Sequence, residues 1–280
     1  MAAEETVVTL SVKVVEPMMF RGPGEFVPEA RGPQSAAVSQ IAPSPSTFSG
    51  MLATALIDAG IAAKPEPAEW YKETGSVLKS AGIKSIKGPY LIVKIDGKEE
   101  ILLQYFTQHQ SHLISLNELY EKRELLKTAK IDEAGIELLT PKFTSKVGIG
   151  LDHLKKTTKE GLIYTTTMVD YSILTKTIKE NQEEARKEIR PEEVLIAVDL
   201  KLESEKAIEK IKKILNKASK MGGEGRAVTI KIRDNGELTQ KVNEKISELP
   251  ENWSGEAIIY VATPIITRSP PGNGDIWKHT

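Results

Sequence analysis

The clearest periodic signal in the chain is the alternation of β-branched or apolar residues with polar ones, which is typical of strands. Such stretches occur at residues 6–15, 163–170, 194–200, 227–233 and 256–262. Two more, at 89–95 and 101–106, flank Asp96-Gly97, a dipeptide that favours a tight hairpin turn. The chain is therefore predicted to be rich in strands along its whole length.

Helical spacing of apolar residues marks four other windows, at 45–60, 70–80, 116–127 and 204–220. The first begins at Pro45-Ser46-Thr47, so Ser46 or Thr47 is predicted to cap the helix and Phe48 to lie in the core. A hydroxyl-bearing helix start is also suited to bind a phosphate, and both interpretations can hold together. A charge run at 178–193 predicts a surface loop or a short helix.

Strand, helix, strand and strand follow one another at both ends of the chain, an order typical of ferredoxin-like (RRM-like) units. The predicted fold class is α+β, with two such domains packed together and long loop insertions. The first domain would span residues 1–150 and contain a long loop rich in Gly and Pro, and the second would span 151–280. The length of 280 residues fits this division.

Composition restricts the function classes. The chain has 38 Lys and Arg against 39 Asp and Glu, for a net charge of −1, whereas proteins that bind nucleic acid alone are usually basic. Because it has no Cys, disulfides and thiolate metal sites are excluded. A charged fraction of 28% fits a thermophilic, archaeal type of cytoplasm. With no long apolar run and an acidic start, we expect a cytoplasmic protein with no membrane contact and no cofactor.

The densest glycine cluster, Gly222-Gly223-Glu224-Gly225-Arg226, follows the helical window at 204–220 and precedes a strand. Such a turn exposes backbone N–H groups and lets another backbone approach closely. An Arg at its exit can bind phosphate with a bidentate fork. The alternative is a helix C-cap in which Gly222 or Gly223 takes the left-handed conformation. Three glycines and an Arg favour a loop that binds an anionic polymer.

Other cations are candidate phosphate ligands. Arg21 and Arg31 lie in the long Gly/Pro loop, and Arg binds phosphate in a bidentate manner or stacks on unpaired bases. Four lysines flank a glycine-containing segment, where they screen phosphates as a set or simply form a solvated face. They are Lys142, Lys146, Lys155 and Lys156. Phe20, Tyr164 and Trp277 are candidates for base stacking, with at least one expected in the core.

Catalytic and metal motifs are weak in this sequence. His109 and His112 are close together, but no third ligand is evident for zinc. A general base at His109, His112 or His153 is the more serious enzymatic alternative, since it would act on a 2′-hydroxyl. The sequence contains no Walker-type phosphate loop and no Gly-x-Ser-x-Gly element.

Several blocks occur together in a characteristic order. They are Pro17-Met18-Met19-Phe20-Arg21, then Pro45 to Leu52, then Val147 to Tyr164, and finally Gly222 to Arg226. In this order the chain resembles the RAMP superfamily of CRISPR proteins, and within it the third-subunit family of the type III-B (Cmr) effector complex. Met18 stands where that family usually has an aspartate, and residues 269–278 match no part of the pattern.

The resemblance implies a non-catalytic, RNA-binding subunit that acts in antiviral defence. Its expected partners are the crRNA, whose 5′ tag it helps to hold, the large polymerase-like (cyclase) subunit, and neighbouring RAMP backbone subunits. The family's glycine-rich loop corresponds to Gly222, Gly223, Gly225 and Arg226. Two alternatives stay open: a metal-independent RAMP endoribonuclease that processes CRISPR precursor RNA, and a module that contacts only proteins.

Overall fold

The computed structural model of the protein describes residues 6–21, 36–66, 70–106, 111–122, 125, 135–152, 157–180, 183–223, 225–233 and 238–246. In these residues the fold is α+β, as predicted, and it is built on a large, mostly antiparallel sheet. The strands are β1 (Thr6–Lys13), β2 (Ala36–Val38), β3 (Ile83–Ile95), β4 (Lys98–Phe106), β5 (Ser111–Ser115), β6 (Leu138–Asp152), β7 (Thr157–Glu180), β8 (Glu183–Ile189), β9 (Glu193–Leu202), β10 (Ala218–Met221) and β11 (Arg226–Arg233). The helices are α1 (Pro45–Asp58), α2 (Trp70–Ser80), α3 (Leu116–Glu121), α4 (Glu205–Lys212) and α5 (Leu238–Ile246).

The strand order is β10-β11-β1-β9-β3-β4-β5-β6-β7-β2, and β8 pairs with residues 174–180 at the C-terminal end of β7. Within it, β11, β1, β9 and β3 are neighbours, and each adjacent pair of them is antiparallel. Helices α1 and α2 connect β1 to β3, apart from the short strand β2, and α4 lies between β9 and β11. This part of the sheet therefore combines strands from residues 6–95 with strands from residues 193–233, while β4 to β8 come from the residues between them.

The core lies on both faces of the central strands. One face of these strands packs against α1, α2 and α4. Alternate residues of β9 point into this layer, among them Ile196, Val198 and Leu200. The intervening residues, Leu195 and Ala197, pack on the other face beneath α3 and α5. Burial on both sides explains why β9 reads as a nearly continuous apolar run.

A buried carboxylate fixes α5 to this second face. Asp199, 2% exposed, accepts a hydrogen bond from Thr9 Oγ1 at 2.6 Å and another from the backbone N–H of Thr239 at 2.6 Å. Thr239 lies in the first turn of α5, where backbone N–H groups have no partner within the helix. Asp199 therefore joins β1, β9 and the start of α5.

Several predicted elements are confirmed and three are wrong. Helix α2 and the Asp96-Gly97 hairpin are present as predicted, with positive φ angles of 49° and 75° at its two turn residues. In the window 116–127, α3 ends at Glu121 with Lys122 as its C-cap, and residues 123–124 and 126–127 lie outside the described residues. The charge run 178–193 is not a loop or helix, since it largely forms the end of β7 and the strand β8, whose exposed charges suit a sheet edge.

The third error concerns the window 204–220, where α4 ends at Lys212. Asn216 takes a positive φ of 56°, its N–H donates to Ile230 O at 2.9 Å, and β10 then pairs along β11. The chain gives up helical hydrogen bonds there because the open edge of β11 needs partners. The glycine cluster thus lies between two strands and not after a helix.

The division into domains at residues 150 and 151 stays a prediction, as does the pairing of two ferredoxin-like domains. Residue 150 itself lies within β6, which pairs with β7 along most of its length.

Candidate functional site

Residues 16–21, here called the bridging segment, connect parts of the sheet that are far apart in strand order. Met18 exchanges two backbone hydrogen bonds with Val169 of β7, at 2.8 and 2.9 Å. The next carbonyl, that of Met19, accepts a hydrogen bond from Gly223 N–H at 2.8 Å. The bridging segment thus holds the β10–β11 turn beside β7.

The β10–β11 turn depends on its glycines. Gly222 has a φ of +81°, and a Cβ atom at this position would lie 2.5 Å from Met19 O. Gly225 has a φ of +57°, and its N–H donates to Gly222 O at 3.1 Å. The close backbone approach that the glycines predict is therefore present, and the approaching backbone belongs to this chain. Both the predicted helix exit and its alternative, a helix C-cap, are replaced by a strand-to-strand turn.

The start of α1 lies next to this turn. The N-cap is Ser44, whose Oγ accepts from Thr47 N–H at 3.3 Å, so the prediction of Ser46 or Thr47 as the cap is wrong by two or three residues. Pro45 then occupies the first helical position, which its fixed φ favours. Phe48 is fully buried, as predicted. The first turn of α1 contains no acidic residue, so no carboxylate of that turn neutralises the partial positive charge at the start of the helix.

The bridging segment, the start of α1 and the β10–β11 hairpin line an open groove of about 360 Å³. The bridging segment contributes Met19 and Arg21, one side of α1 contributes hydroxyls and a glycine, and the β10–β11 hairpin contributes backbone and a lysine. The lining residues are Met19, Arg21, Ser46, Thr47, Gly50, Met51, Thr54, Lys220, Met221, Gly222 and Gly223. Within the described part of the chain, this lining includes two cations and no carboxylate. Its chemistry suits an anion with apolar parts.

Five of the predicted site residues meet in this groove: Arg21, Ser46, Thr47, Gly222 and Gly223. Sequence reasoning missed Lys220, Gly50 and Thr54. The helical spacing of Ser46, Gly50 and Thr54 could have found the last two, since residues four apart share one side of a helix. No pattern identified Lys220, because the window containing it was predicted to be helical.

Arg226 is placed differently from the prediction. Its Nη1 donates to Glu16 Oε2 at 3.0 Å, and its Nη2 lies 3.4 Å from Met168 Sδ. The backbone N–H of Ala227 donates to the other oxygen of Glu16 at 3.2 Å. Arg226 therefore binds a carboxylate of its own chain, and Glu16 is a residue that sequence reasoning missed.

The predicted lysines are spread more widely. Lys142 and Lys146 are exposed on β6, opposite Asp170 and Thr166 of β7, and are not among the residues that line the groove. Arg31, Lys155 and Lys156 lie outside the described residues.

The histidine and aromatic candidates do not add to the groove. His112 lies on β5, where its Nδ1 is 2.9 Å from Thr140 Oγ1, while His109 and His153 lie outside the described residues. Phe20 is buried in the core, and the side chains of Tyr164 and Trp277 are not described. In the described ranges no group of three acidic or histidine side chains is suited to a metal ion. None of the helices described there is both long and apolar enough to cross a bilayer.

One buried tyrosine holds the loop that precedes α1 against β7. Tyr171 on β7 donates its hydroxyl hydrogen to Ile41 O, and complete burial raises its pKa far above the ordinary value of 10.0. The hydroxyl therefore stays neutral and keeps its role as a donor. It ties the strand beside the bridging segment to the loop that leads into α1.

Comparison with known proteins supports the family resemblance. The sequence model of the CRISPR-associated protein family Cas_Cmr3 matches residues 105–276. The chain belongs to the Cas_Cmr3 family. A member from Saccharolobus solfataricus, the CRISPR system CMR subunit Cmr3, is 32% identical over 164 residues, which cover 55% of this chain and 48% of the relative. The chain thus spans about half the length of that Cas_Cmr3 relative.

A solved structure shows a related fold. A chain in the cryo-EM structure of the type III-B Cmr-beta complex bound to cognate target RNA and AMPPnP aligns with a TM-score of 0.51 at 20% identity. The alignment covers 81% of this chain and 63% of that chain.

Proposed function

We propose that the protein is a non-catalytic RNA-binding subunit of a type III-B CRISPR (Cmr) effector complex. In that role it would help to hold the 5′ tag of the crRNA, dock the large polymerase-like subunit, and lie beside the RAMP backbone subunits. Family membership and the relative's designation as a CMR subunit support the assignment to this class of complex. The groove supports the more specific role in RNA binding.

The observation that carries the RNA-binding role is the convergence of three distant segments on one groove with no acidic lining residue in the described chain. Arg21 and Lys220 can neutralise phosphates, and Ser46 and Thr47 can donate hydroxyl hydrogen bonds to phosphate or ribose oxygens. The start of α1 adds a partial positive charge. Met19 and Met51 provide adaptable apolar contacts for a base.

A net charge of −1 fits a subunit that binds RNA within an assembly. Counterion release gives an RNA-binding protein affinity in proportion to the phosphates that it neutralises. The groove lining offers two cations, which is few for a protein that binds RNA alone. Lys142 and Lys146, exposed on β6, stay candidates for a second, more distant contact with the RNA.

The strand order supports a ferredoxin-like unit made of β1, α1 with α2, β3, β9, α4 and β11. These elements follow the β-α-β-β-α-β connectivity with β11-β1-β9-β3 as the order in the sheet. The groove would then lie at the end of this unit, where β1 continues into the bridging segment.

Gly50 provides a direct test, because a side chain there has space. A Cβ atom at Gly50 meets nothing within 4 Å, and the same holds at Gly75, an exposed glycine of α2 that lies away from the groove. Gly50→Glu would place a negative charge in the groove, and Gly75→Glu is the matched control because its Cβ position is equally open.

The variants are purified with their partner subunits from cells that produce crRNA, and the RNA retained per protein is quantified. We expect Gly50→Glu to lower retention by roughly tenfold, equivalent to about 1.4 kcal/mol, and Gly75→Glu to leave it unchanged. Equal retention by both variants would overturn the groove as an RNA site.

The same preparations address the endoribonuclease alternative. Among the described histidines, His112 is 2.9 Å from Thr140 on β6 and does not line the groove. We expect no cleavage of a repeat-containing RNA in the absence of divalent metal. A metal-free cut that is lost in His112→Ala would contradict the non-catalytic role.

A further inference from the structure

The contacts of Glu16 involve both of its carboxylate oxygens. Oε2 accepts from the guanidinium of Arg226 at 3.0 Å, and Oε1 accepts from the backbone N–H of Ala227 at 3.2 Å. Glu16 is the first residue of the bridging segment, and Arg226 is the first residue of β11 after the glycine turn. One carboxylate therefore holds both the side chain and the backbone at the exit of the turn.

The surroundings of this pair reduce its exposure to water. The side chain of Arg226 is 21% exposed and that of Glu16 is 33% exposed. Nη2 of Arg226 rests against Met168 Sδ of β7, and its Nε is buried with no hydrogen-bond partner among the described residues. The guanidinium of Arg226 has lost part of its hydration, so its charge must be compensated by the carboxylate of Glu16, because an unpaired buried charge is costly.

We propose that the Glu16–Arg226 pair positions the RNA-binding groove, and that Arg226 is a positioning residue and not an RNA ligand. The inference rests on the proposed function, since it assigns a role to a residue beside the same groove. The pair joins the start of the bridging segment to the end of the glycine turn. Between these two points lies the hydrogen bond from Gly223 N–H to Met19 O, which brings both segments to the groove wall.

The geometry separates Arg226 from its neighbours in the turn. Gly222 and Gly223 line the groove, whereas Arg226 is not among the lining residues and directs its guanidinium to Glu16 and Met168. Arg21, at the other end of the bridging segment, does line the groove. The backbone of Arg21 is also paired with that of Ser39, so the Glu16–Arg226 pair acts on RNA binding mainly through the turn and only partly through Arg21.

The first experiment measures the closure of the turn without RNA. Hydrogen exchange of the Gly223 amide reports its hydrogen bond to Met19 O, and it is compared among wild type, Glu16→Gln, Arg226→Gln and the exchanged pair Glu16→Arg with Arg226→Glu. We expect faster exchange in both single variants and a return toward the wild-type rate in the exchanged pair. Unchanged exchange in both single variants would overturn the proposal.

The second experiment measures the salt dependence of binding of a labelled guide RNA by the protein with its co-purified subunits. The slope of log K against log salt is negative, and removing an arginine that contacts a phosphate in a single-stranded site reduces its magnitude by about 0.7. We expect Arg21→Gln to reduce the magnitude of the slope by this amount. Arg226→Gln should weaken binding several-fold with the slope unchanged.

The two roles of Arg226 also predict opposite results for Glu16→Gln. A positioning role predicts weaker RNA binding, because the turn and Arg21 lose their support. A ligand role predicts equal or stronger binding, because the guanidinium would no longer be held by a carboxylate; this result, or a reduced slope in Arg226→Gln, would overturn the proposal.

The outcomes separate this inference from the proposed function. Altered exchange at Gly223 in Glu16→Gln, together with unchanged RNA retention in Gly50→Glu, would leave the pair as a support of the turn and reject the groove as an RNA site. Unchanged exchange at Gly223 in Glu16→Gln, together with lost RNA retention in Gly50→Glu, would keep the groove as an RNA site and reject the pair as its support.

Discussion

The middle of the sheet and the groove are held together in different ways. Strand β9 is buried on both faces, and its buried side chains are apolar except for that of Asp199. The groove is made of short segments that meet through single contacts, such as Gly223 N–H to Met19 O and Arg226 to Glu16. Stability therefore resides mainly in the first region, and the chemistry that can bind a ligand resides in the second.

A change at Asp199 should affect the first region without the second, and it has the largest expected effect. Asp199→Ala would leave Thr9 Oγ1 and the N–H of Thr239 without their acceptor, at a cost of about 3 kcal/mol. Urea unfolding measures this loss, and Asp199→Asn should cost less because one acceptor remains. RNA retained per folded molecule should stay constant; a parallel loss of RNA would show that the two regions are coupled.

Gly222→Ala should have the opposite profile, with a moderate effect on stability and a large one on the groove. Its φ of +81° and the 2.5 Å approach to Met19 O predict a cost of about 2 kcal/mol and an opened turn. Gly225→Ala is the matched control, because the nearest atoms to its Cβ are 3.6 Å away on the side chain of Lys220. Thermal denaturation and RNA retention are measured for both. Equal effects on retention would contradict the special role of Gly222.

Replacing the two open helix glycines by alanine should raise stability by similar amounts in both regions. Gly50→Ala and Gly75→Ala each remove backbone freedom from the unfolded chain and meet no atom within 4 Å, so we expect a gain of about 0.8 kcal/mol each. Chemical denaturation tests the gain. A loss of stability in Gly50→Ala alone would show that the start of α1 is strained.

The smallest expected effect is at a surface ion pair beside the central strands. Lys13 Nζ lies 2.9 Å from Glu193 Oε1, and the hydrogen bond from Lys13 holds the pKa of Glu193 below its ordinary value of 4.5. The pair thus stabilises the fold above that value, and the contribution is lost as pH falls through the lowered pKa. Since both side chains are partly exposed, Glu193→Gln should cost less than about 1 kcal/mol at neutral pH. Melting temperatures of the two proteins should converge as pH falls below 4.5; a constant difference would contradict this account.

The sequence was sufficient for elements that follow one period and bury one face. Helix α1 shows this, because Phe48, Met51, Leu52, Ala55 and Leu56 are all buried as its spacing predicts. The helical spacing also continues from α4 to Leu215, yet the chain turns at Asn216 to cover the edge of β11. The period describes the local preference, and the need of β11 for hydrogen-bond partners overrides it.

The candidate site could be predicted only where a residue type is unusual by itself. Gly222 and Gly223, Ser46 and Thr47, and Arg21 were predicted one by one, and the structure brings them together. The partner of Arg226 could not be predicted, because Glu16 is 210 residues away and a single carboxylate next to a proline has no pattern. Ser44, two or three residues before the predicted cap, was missed because three hydroxyl-bearing residues within four positions compete for the cap.

The position of β1 between β9 and β11 has a consequence for synthesis. Strand β1 is synthesised before its partners, which comprise residues 195–202 and 229–233, so both of its edges lack neighbours until those residues have emerged from the ribosome. Loops of this length close slowly, since nonlocal pairing must overcome chain entropy before any contact is gained. The bridging segment, which follows β1, has no glycine turn to bind during that interval. Assembly of the groove is therefore a late step of folding, and until β9 and β11 are present the unpaired edges of the first strand are open to pairing with other chains.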